Sequence, residues 1–140
     1  MRSSLFMAVV VAACVAGCAD KNADVRGSVA GRITLDGSPL SAGWIEFQPT
    51  AGTRGPAAGG EIVKGVVAIP TAKGPAIGKN RVRVSSRQPT GKKVPGGVAG
   101  GLVDEIVEVV PKQYNTATTL EADIKKGRNE ITLDLKTAKD

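Results

Sequence analysis

The sequence predicts an all-β domain, an antiparallel, Ig-like β-sandwich of about seven short strands. From residue 28 onward, apolar residues recur with a period of two, which is typical of half-buried strands. The chain has 18 glycines and 8 prolines, which are unfavourable inside helices and common in turns. Only 3% of the residues are aromatic, so Val, Ile and Leu must build the core, and β-branched residues suit a sheet. A chain of 140 residues has room for one such domain.

Residues 1–17 have the pattern of a secretory signal peptide, which we expect to be helical before it is removed. Arg2 gives a basic start, the run from Leu5 to Ala16 is almost entirely apolar, and small residues close the segment. The apolar run is too short to span a bilayer comfortably, since spanning takes roughly 18 or more residues. The pattern therefore predicts export from the cytoplasm.

The segment Val15-Ala16-Gly17-Cys18 resembles the bacterial lipobox, in which small residues precede a cysteine. The resemblance implies cleavage between Gly17 and Cys18, transfer of a diacylglycerol to the thiol, and acylation of the new N-terminus with a fatty acid such as palmitate. Such chains bury enough methylene groups, at roughly 0.8 kcal/mol each, to hold a protein on a membrane. We therefore expect a lipoprotein at the periplasmic or surface face of a bacterial membrane. The alternative is an ordinary signal peptide that is cleaved elsewhere.

After a polar tether at residues 18–27, the domain is predicted to occupy residues 28–136, with its strands separated by turn signals. The inward-facing positions are predicted to be Val29, Gly31, Ile33, Leu35, Ile45, Phe47, Val82 and Val84. Turns are expected at 36–39 and at Lys64-Gly65, because Gly adopts positive φ and Pro fixes φ. Residues 88–101 are predicted to form a long loop rich in Gly, Pro and Lys, followed by a strand at 105–110. Two final strands, at 119–124 and 129–135, can bring their apolar faces together.

Several of these segments together are similar to carboxypeptidase regulatory-like domains, which are transthyretin-like sandwiches. The run from Gly31 to Leu40 (GRITLDGSPL), followed by Ile45-Glu46-Phe47, is similar to their opening hairpin. The run from Gly74 to Val84 (GPAIGKNRVRV) resembles a later strand, with Asn80 where a tyrosine usually stands. The tail that begins at Val110 (VPKQYN) is similar to the ending of small bacterial lipoproteins that carry this domain. The resemblance implies a domain that is not catalytic.

The amino-acid composition also argues against enzyme activity. Histidine is absent, which removes the commonest general base and the commonest metal ligand. Hydrolases of the transthyretin fold depend on histidines, and no Gly-x-Ser-x-Gly elbow occurs here. The carboxylates Asp104, Glu105 and Glu108 lack the spacing of a calcium loop, so a solvated acidic strand edge is the preferred interpretation. We therefore expect no enzyme activity, no metal site and no cofactor.

A basic stretch offers one candidate binding surface, composed of Lys79, Arg81, Arg83, Arg87, Lys92 and Lys93. It would attract an anionic surface such as lipid headgroups or polysaccharide. The alternative is a solubilising face on a protein whose formal net charge is +6. Stacking aromatic residues are missing nearby, so specific binding of nucleic acid is not expected.

Two aromatic side chains offer a second candidate surface. Trp44 and Tyr114 would stack on sugar rings if they are exposed, and they would fill the core if they are buried. The sequence thus predicts a lipid-anchored, non-enzymatic module of the cell envelope, for binding or for structure. Its expected partners are the membrane, through the N-terminal lipid, and an envelope polysaccharide or protein.

Overall fold

The computed structural model describes residues 25–50, 52–98 and 100–137, which form ten strands and two short 3-10 helices. The strands are β1 (Gly27–Leu35), β2 (Ser38–Pro39), β3 (Ala42–Pro49), β4 (Ala58–Val63), β5 (Val66–Ile69), β6 (Gly78–Ser85), β7 (Arg87–Pro95), β8 (Leu102–Glu108), β9 (Glu121–Ile124) and β10 (Gly127–Leu135). The 3-10 helices span Thr71–Lys73 and Lys112–Tyr114. Within this part of the chain, no helix has the length and apolar character needed to cross a bilayer. The predicted signal peptide, Gly17 and Cys18 lie outside the described residues.

The predicted all-β sandwich is confirmed. Seven strands form one continuous path in the order β10-β1-β5-β4-β3-β6-β9, and β2 adds to β1. The sheet curls at the β4–β5 hairpin, whose strands pair only through Ile62 with Val67 and through Val63 with Val66. Two layers thereby face each other across a shared core. The pairs are antiparallel except β1 with β10, which run parallel in register from Gly27 opposite Gly127.

The core confirms the inward faces that the period of two predicts. Ile33, Ile45 and Phe47 are fully buried, and Val82 and Val84 follow on β6. One cluster unites all seven strands of the path; its members are Val29, Ile33, Leu40, Ile45, Phe47, Ile62, Val67, Ile69, Val82, Val84, Val110, Ile124 and Leu135. Burial of this aliphatic surface, at roughly 25 cal/mol per Å², is the main force that holds the layers together.

Two tight turns close the hairpins β1–β2 and β4–β5 at the positions that the sequence predicts. Asp36 and Gly37 both have positive φ, 51° and 86°. Lys64 and Gly65 repeat the pattern with 50° and 76°. Positive φ at both central residues matches the right-handed twist of the flanking strands, which explains why glycine is used at the second position.

The prediction of a loop at 88–101 is wrong. Arg87–Pro95 is strand β7, which pairs with β8 at Leu102–Glu108 in a separate two-stranded sheet that we call the ribbon. The prolines and glycine that suggested a loop are tolerated because β7 is an edge strand, where an amide donor is dispensable. The register shifts between Pro89 and Lys93, which is a bulge in the strand.

The last two strands do not pair with each other. Strand β9 pairs with β6, and β10 pairs with β1, so the turn between them passes from one layer to the other. Their apolar residues Leu120, Ala122, Ile131 and Leu133 all pack against the shared core, and the two strands line an open cleft. Sandwich closure therefore separates two strands that a sequence pattern would join in a hairpin.

The two ends of the sandwich carry different features. Gly27, Gly78 and Gly127 lie together at the end where the described chain begins, which we call the N-terminal end. The ribbon leaves from the opposite end, where the Ser86 hydroxyl donates to the carbonyl oxygen of Ala42 at 2.5 Å. Strand β6 runs the length of the sandwich between these ends.

Candidate functional site

The outer surface of β4, β3 and β6 is polar and carries a tryptophan. Side chains alternate along β3, where Ile45 and Phe47 are buried. Trp44, Glu46 and Gln48 therefore point away from the core. Register places Trp44 between Glu61 and Ser85 on the neighbouring strands. We call this surface the Trp44 face; it comprises Trp44, Glu46, Gln48, Glu61, Arg81 and Arg83.

Trp44 is 50% exposed. Its indole occupies the space above the backbone of Gly59, where a Cβ atom would stand 2.7 Å from Nε1 and 2.9 Å from Cε2. The glycine therefore allows the ring to approach β4 closely, while half of the side chain is open to solvent.

On the same outer face as Trp44, charged and amide side chains form a shallow hollow. Glu46 lies opposite Arg83 in the register, with 3.7 Å between Oε2 and Nη1. Gln48 lies opposite Arg81. The hollow is lined by Glu46, Gln48, Arg81, Arg83, Asn115, Thr116 and Thr118. Guanidinium donors, a carboxylate acceptor and amides are the groups that bind the hydroxyls of a sugar.

The segment that closes this hollow is tied to the sheet. The Thr118 hydroxyl donates to the carbonyl oxygen of Val82 at 2.7 Å and also accepts from the backbone N–H of Leu120 at 3.2 Å. Arg81 borders a second hollow with Gln48, Pro49 and Thr50. Arg81 is thus available to two neighbouring depressions of the same face.

The six cationic residues of the predicted anionic-surface site are divided between two parts of the molecule. Lys79, Arg81 and Arg83 lie on the outer face of β6, whereas Arg87, Lys92 and Lys93 lie on β7 of the ribbon. Three of the six stand beside carboxylates: Lys79 is 4.0 Å from Glu121, Arg83 is 3.7 Å from Glu46, and Lys93 is 2.7 Å from Asp104. These carboxylates reduce the positive potential that a polyanion would meet.

The second predicted stacking residue, Tyr114, has a different environment from Trp44. It ends the 3-10 helix Lys112–Tyr114 and packs against the core. Its hydroxyl lies 3.4 Å from the backbone nitrogen of Lys136, which donates to it. Of the two rings, Trp44 is the one that the fold presents on an open strand surface.

The three carboxylates of β8 are held singly rather than as a cluster. Asp104 pairs with Lys93, and Glu105 Oε2 accepts from the Thr90 hydroxyl at 2.6 Å. Glu108 Oε1 accepts from the backbone N–H groups of Ser86 and Val110, at 2.7 and 3.0 Å. Among the described residues, no three acidic or other metal-ligating side chains are grouped so that they could hold a metal ion.

Some residues at and around the Trp44 face could be predicted from the sequence, and others could not. Glu46 and Gln48 follow Trp44 at intervals of two along one strand, so the alternation identifies them as its neighbours. Gly59 and the segment Asn115–Thr118 are distant in sequence, and only the sheet register and the packing of the loop bring them near.

The chain was compared with protein-family models, with curated proteins and with solved structures, and none of these comparisons gave a match. The geometry of the Trp44 face is therefore the observation on which a functional proposal rests.

Proposed function

We propose that this protein is a non-enzymatic, lipid-anchored module of the bacterial cell envelope that binds polysaccharide through the Trp44 face. The observation that carries the proposal is the position of the chain's one tryptophan, half exposed and packed against Gly59 on a polar sheet surface. Exposure of an aromatic ring to water is unfavourable in free energy, and stacking on an apolar ligand surface removes part of the ring from water.

The chemistry around the ring matches a carbohydrate ligand. A pyranose presents an apolar C–H face, which stacks on an indole, and a rim of hydroxyls that donate and accept hydrogen bonds. Arg83 and Arg81 offer donors, Glu46 offers acceptors, and Gln48 offers both. The flat, open form of the surface suits a polymer chain lying across it better than a small molecule enclosed in a pocket.

Anchoring at Cys18 and the carboxypeptidase regulatory-like, transthyretin-like domain type belong to the same proposal. The lipobox resemblance of Val15-Ala16-Gly17-Cys18 supports the first, and the resemblance of the 31–47 and 74–84 segments supports the second. A lipid at Cys18 would place the domain a short tether away from a membrane, within reach of envelope polysaccharide.

The experiment that tests the ligand class is calorimetric titration of the exported protein, purified in detergent. The probes are chitohexaose, cellohexaose, peptidoglycan fragments and oligogalacturonate, at two salt concentrations. We expect binding of at least one of them, with a roughly tenfold or greater loss in Trp44→Ala, as is usual for a tryptophan at the centre of a contact surface. Trp44→Phe should retain part of the affinity.

Tyr114→Phe is the matched control, because it removes a hydroxyl from a ring that packs on the core. It should bind as the unaltered protein does. Equal binding by Trp44→Ala, or no binding to any probe, would contradict the proposal. If Trp44→Ala binds a probe as tightly as the unaltered protein does, and the affinity falls steeply with salt, the ligand is instead a polyanion held by the basic residues.

A further inference from the structure

The ribbon leaves the sandwich at the end opposite to Val25 and exposes apolar side chains on both faces. Leu102 is 70% exposed and Ile106 is 61% exposed on one face, and Val103 and Val107 are exposed on the other. An isolated two-stranded ribbon is marginally stable in water, and a third strand is usually needed to stabilise it. The exposed apolar residues therefore indicate that the ribbon has a partner.

The two outer edges of the ribbon differ in their capacity to accept another strand. Strand β7 contains Pro89 and Pro95, a bulge between Pro89 and Lys93, and two exposed lysines. The prolines remove amide donors and the bulge bends the edge, which blocks strand addition, and the two lysines would repel a basic segment. Strand β8 contains neither proline nor glycine, and its β-branched residues Val103, Ile106 and Val107 suit a pairing strand.

We propose that the outer edge of β8 is a docking site for an extended, basic segment of a partner protein, which adds to the ribbon as a third strand. Main-chain hydrogen bonds would give affinity, and alternate side chains would give specificity. The β8 strand carries Asp104, Glu105 and Glu108 among its apolar residues. Side chains directly opposite each other on paired strands are about 5 Å apart, so Lys or Arg on the added strand would meet these carboxylates.

The preference for a basic partner depends mainly on Glu105. Asp104 already has Lys93 as an ionic partner, and Glu108 accepts from two backbone amides. Glu105 accepts from the neutral hydroxyl of Thr90, so its negative charge is not neutralised by that contact. A cationic side chain opposite Glu105 would supply the neutralising charge.

A second copy of the chain fits this edge less well. A two-fold axis between two β8 strands is perpendicular to the sheet, so residues on one face must oppose residues on the same face. A register centred on Asp104 or on Glu105 places that carboxylate against its own copy. A register centred on Ile106 places Asp104 against Glu108. Carboxylates directly opposite each other are destabilising. Registers centred on Val103 or Val107 avoid this opposition, but they bring no cation to Glu105, so a basic partner still satisfies this edge better than a second copy.

The test uses a synthetic peptide, Lys-Val-Thr-Arg-Lys-Val-Val, capped at both ends and labelled with a fluorophore. In antiparallel register its three basic residues lie opposite Glu108, Glu105 and Asp104. Its binding to the exported protein in detergent is measured by fluorescence anisotropy, and the contact is mapped by amide chemical shifts. We expect saturable binding with shifts confined to Leu102–Glu108. The same peptide with alternate backbone nitrogens methylated should lose at least tenfold in affinity, because it cannot complete the ladder.

Two charge variants locate the edge that is used. Glu105→Lys should weaken binding about tenfold, whereas Lys92→Glu, on the protected strand, should change it less than about threefold. Trp44→Ala should leave peptide binding unchanged, so this site and the saccharide face can fail independently.

Three outcomes would overturn the proposal. The first is equal binding of a peptide with Glu in place of its Lys and Arg. The second is equal binding of the methylated peptide. The third is a concentration-dependent shift of the β8 amides without peptide, which would assign the edge to a second copy.

Discussion

The indole of Trp44 and the backbone of Gly59 are in such close contact that a single methyl group would not fit between them. The two residues lie on neighbouring strands, β3 and β4, and the glycine sits two register positions from Glu61, the residue opposite the tryptophan. The missing side chain at 59 therefore determines the orientation of the ring, and with it the shape of the surface that we propose binds sugar.

Gly59→Ala should displace the indole and weaken saccharide binding roughly tenfold. It should also lower the free energy of unfolding by about 1–3 kcal/mol, because the added Cβ would stand 2.7 Å from the backbone oxygen of Ile45, which cannot move into solvent as the half-exposed ring can. Since the chain has one tryptophan, the displacement should appear directly as a red shift of the fluorescence emission. Gly101→Ala is the matched control, because a Cβ there meets nothing within 4 Å. An unchanged emission maximum in Gly59→Ala would show that the ring does not depend on this contact.

Asn80 is a polar residue in the core of the sandwich, with 0% exposure. Its Nδ2 donates to the carbonyl oxygens of Ala76 and Gly78, at 2.8 and 2.9 Å, whereas its Oδ1 has no hydrogen-bond partner among the described residues. Asn80→Ala should lower the free energy of unfolding by about 2–4 kcal/mol, because two buried carbonyls lose their donor and a cavity forms. Urea denaturation measures this loss.

Asn80→Asp is the informative companion variant, since it keeps the size of the side chain and removes the donor. It should be more destabilising than Asn80→Ala at pH 7, because a charge is buried against two carbonyls. Its penalty should shrink as the pH falls, because the protonated carboxyl regains a donor. A variant as stable as the original protein at pH 7 would contradict this account of the core.

Glu108 fixes the ribbon to the sandwich by accepting hydrogen bonds from the backbone N–H groups of Ser86 and Val110. Glu108→Ala should accelerate hydrogen exchange of these two amides tenfold or more, because hydrogen bonds to charged groups contribute about 1.5–3 kcal/mol. Glu105→Ala removes a carboxylate from the same strand without touching these amides and serves as the control. Equal exchange in both variants would show that Glu108 does not hold the ribbon.

The proposed anchor makes a prediction that intact mass spectrometry can check. After export in a bacterial host, the protein should begin at Cys18 and carry the added mass of its acyl chains. Cys18→Ala should lose both the acyl mass and the cleavage before residue 18. An unacylated protein that is cut at another position would mean a freely secreted domain rather than a lipoprotein.

The elements that local chemistry controls could be predicted from the sequence. The period of two assigned Ile45 and Phe47 to the core and Trp44 to the opposite face, because successive side chains of a strand point to opposite sides whatever the rest of the fold does. Asp36-Gly37 and Lys64-Gly65 were recognisable as turns because few residues other than glycine adopt positive φ without strain. These features depend only on neighbours in the chain.

The ribbon could not be predicted in this way. Pro89, Gly91 and Pro95 are loop signals in isolation, and they become compatible with a strand only when that strand lies at an edge whose outer amides need no partner. Whether a strand is an edge is a property of the sheet and not of its own residues. The same holds for the charge pair Lys93–Asp104, which exists only in the ribbon register.

Backbone sterics and the alternation of side chains over a few residues were thus enough to predict the fold class, the faces of the strands and the tight turns. The parallel pairing of β1 with β10, which joins Thr34 to Asp134 by a hydrogen bond of 2.6 Å, depends instead on the closed sandwich. The contact of the Trp44 indole with Gly59 and the packing of Tyr114 on the core depend on it too. Such contacts depend on which surfaces the closed sandwich covers, and residues far apart in the chain fix them together.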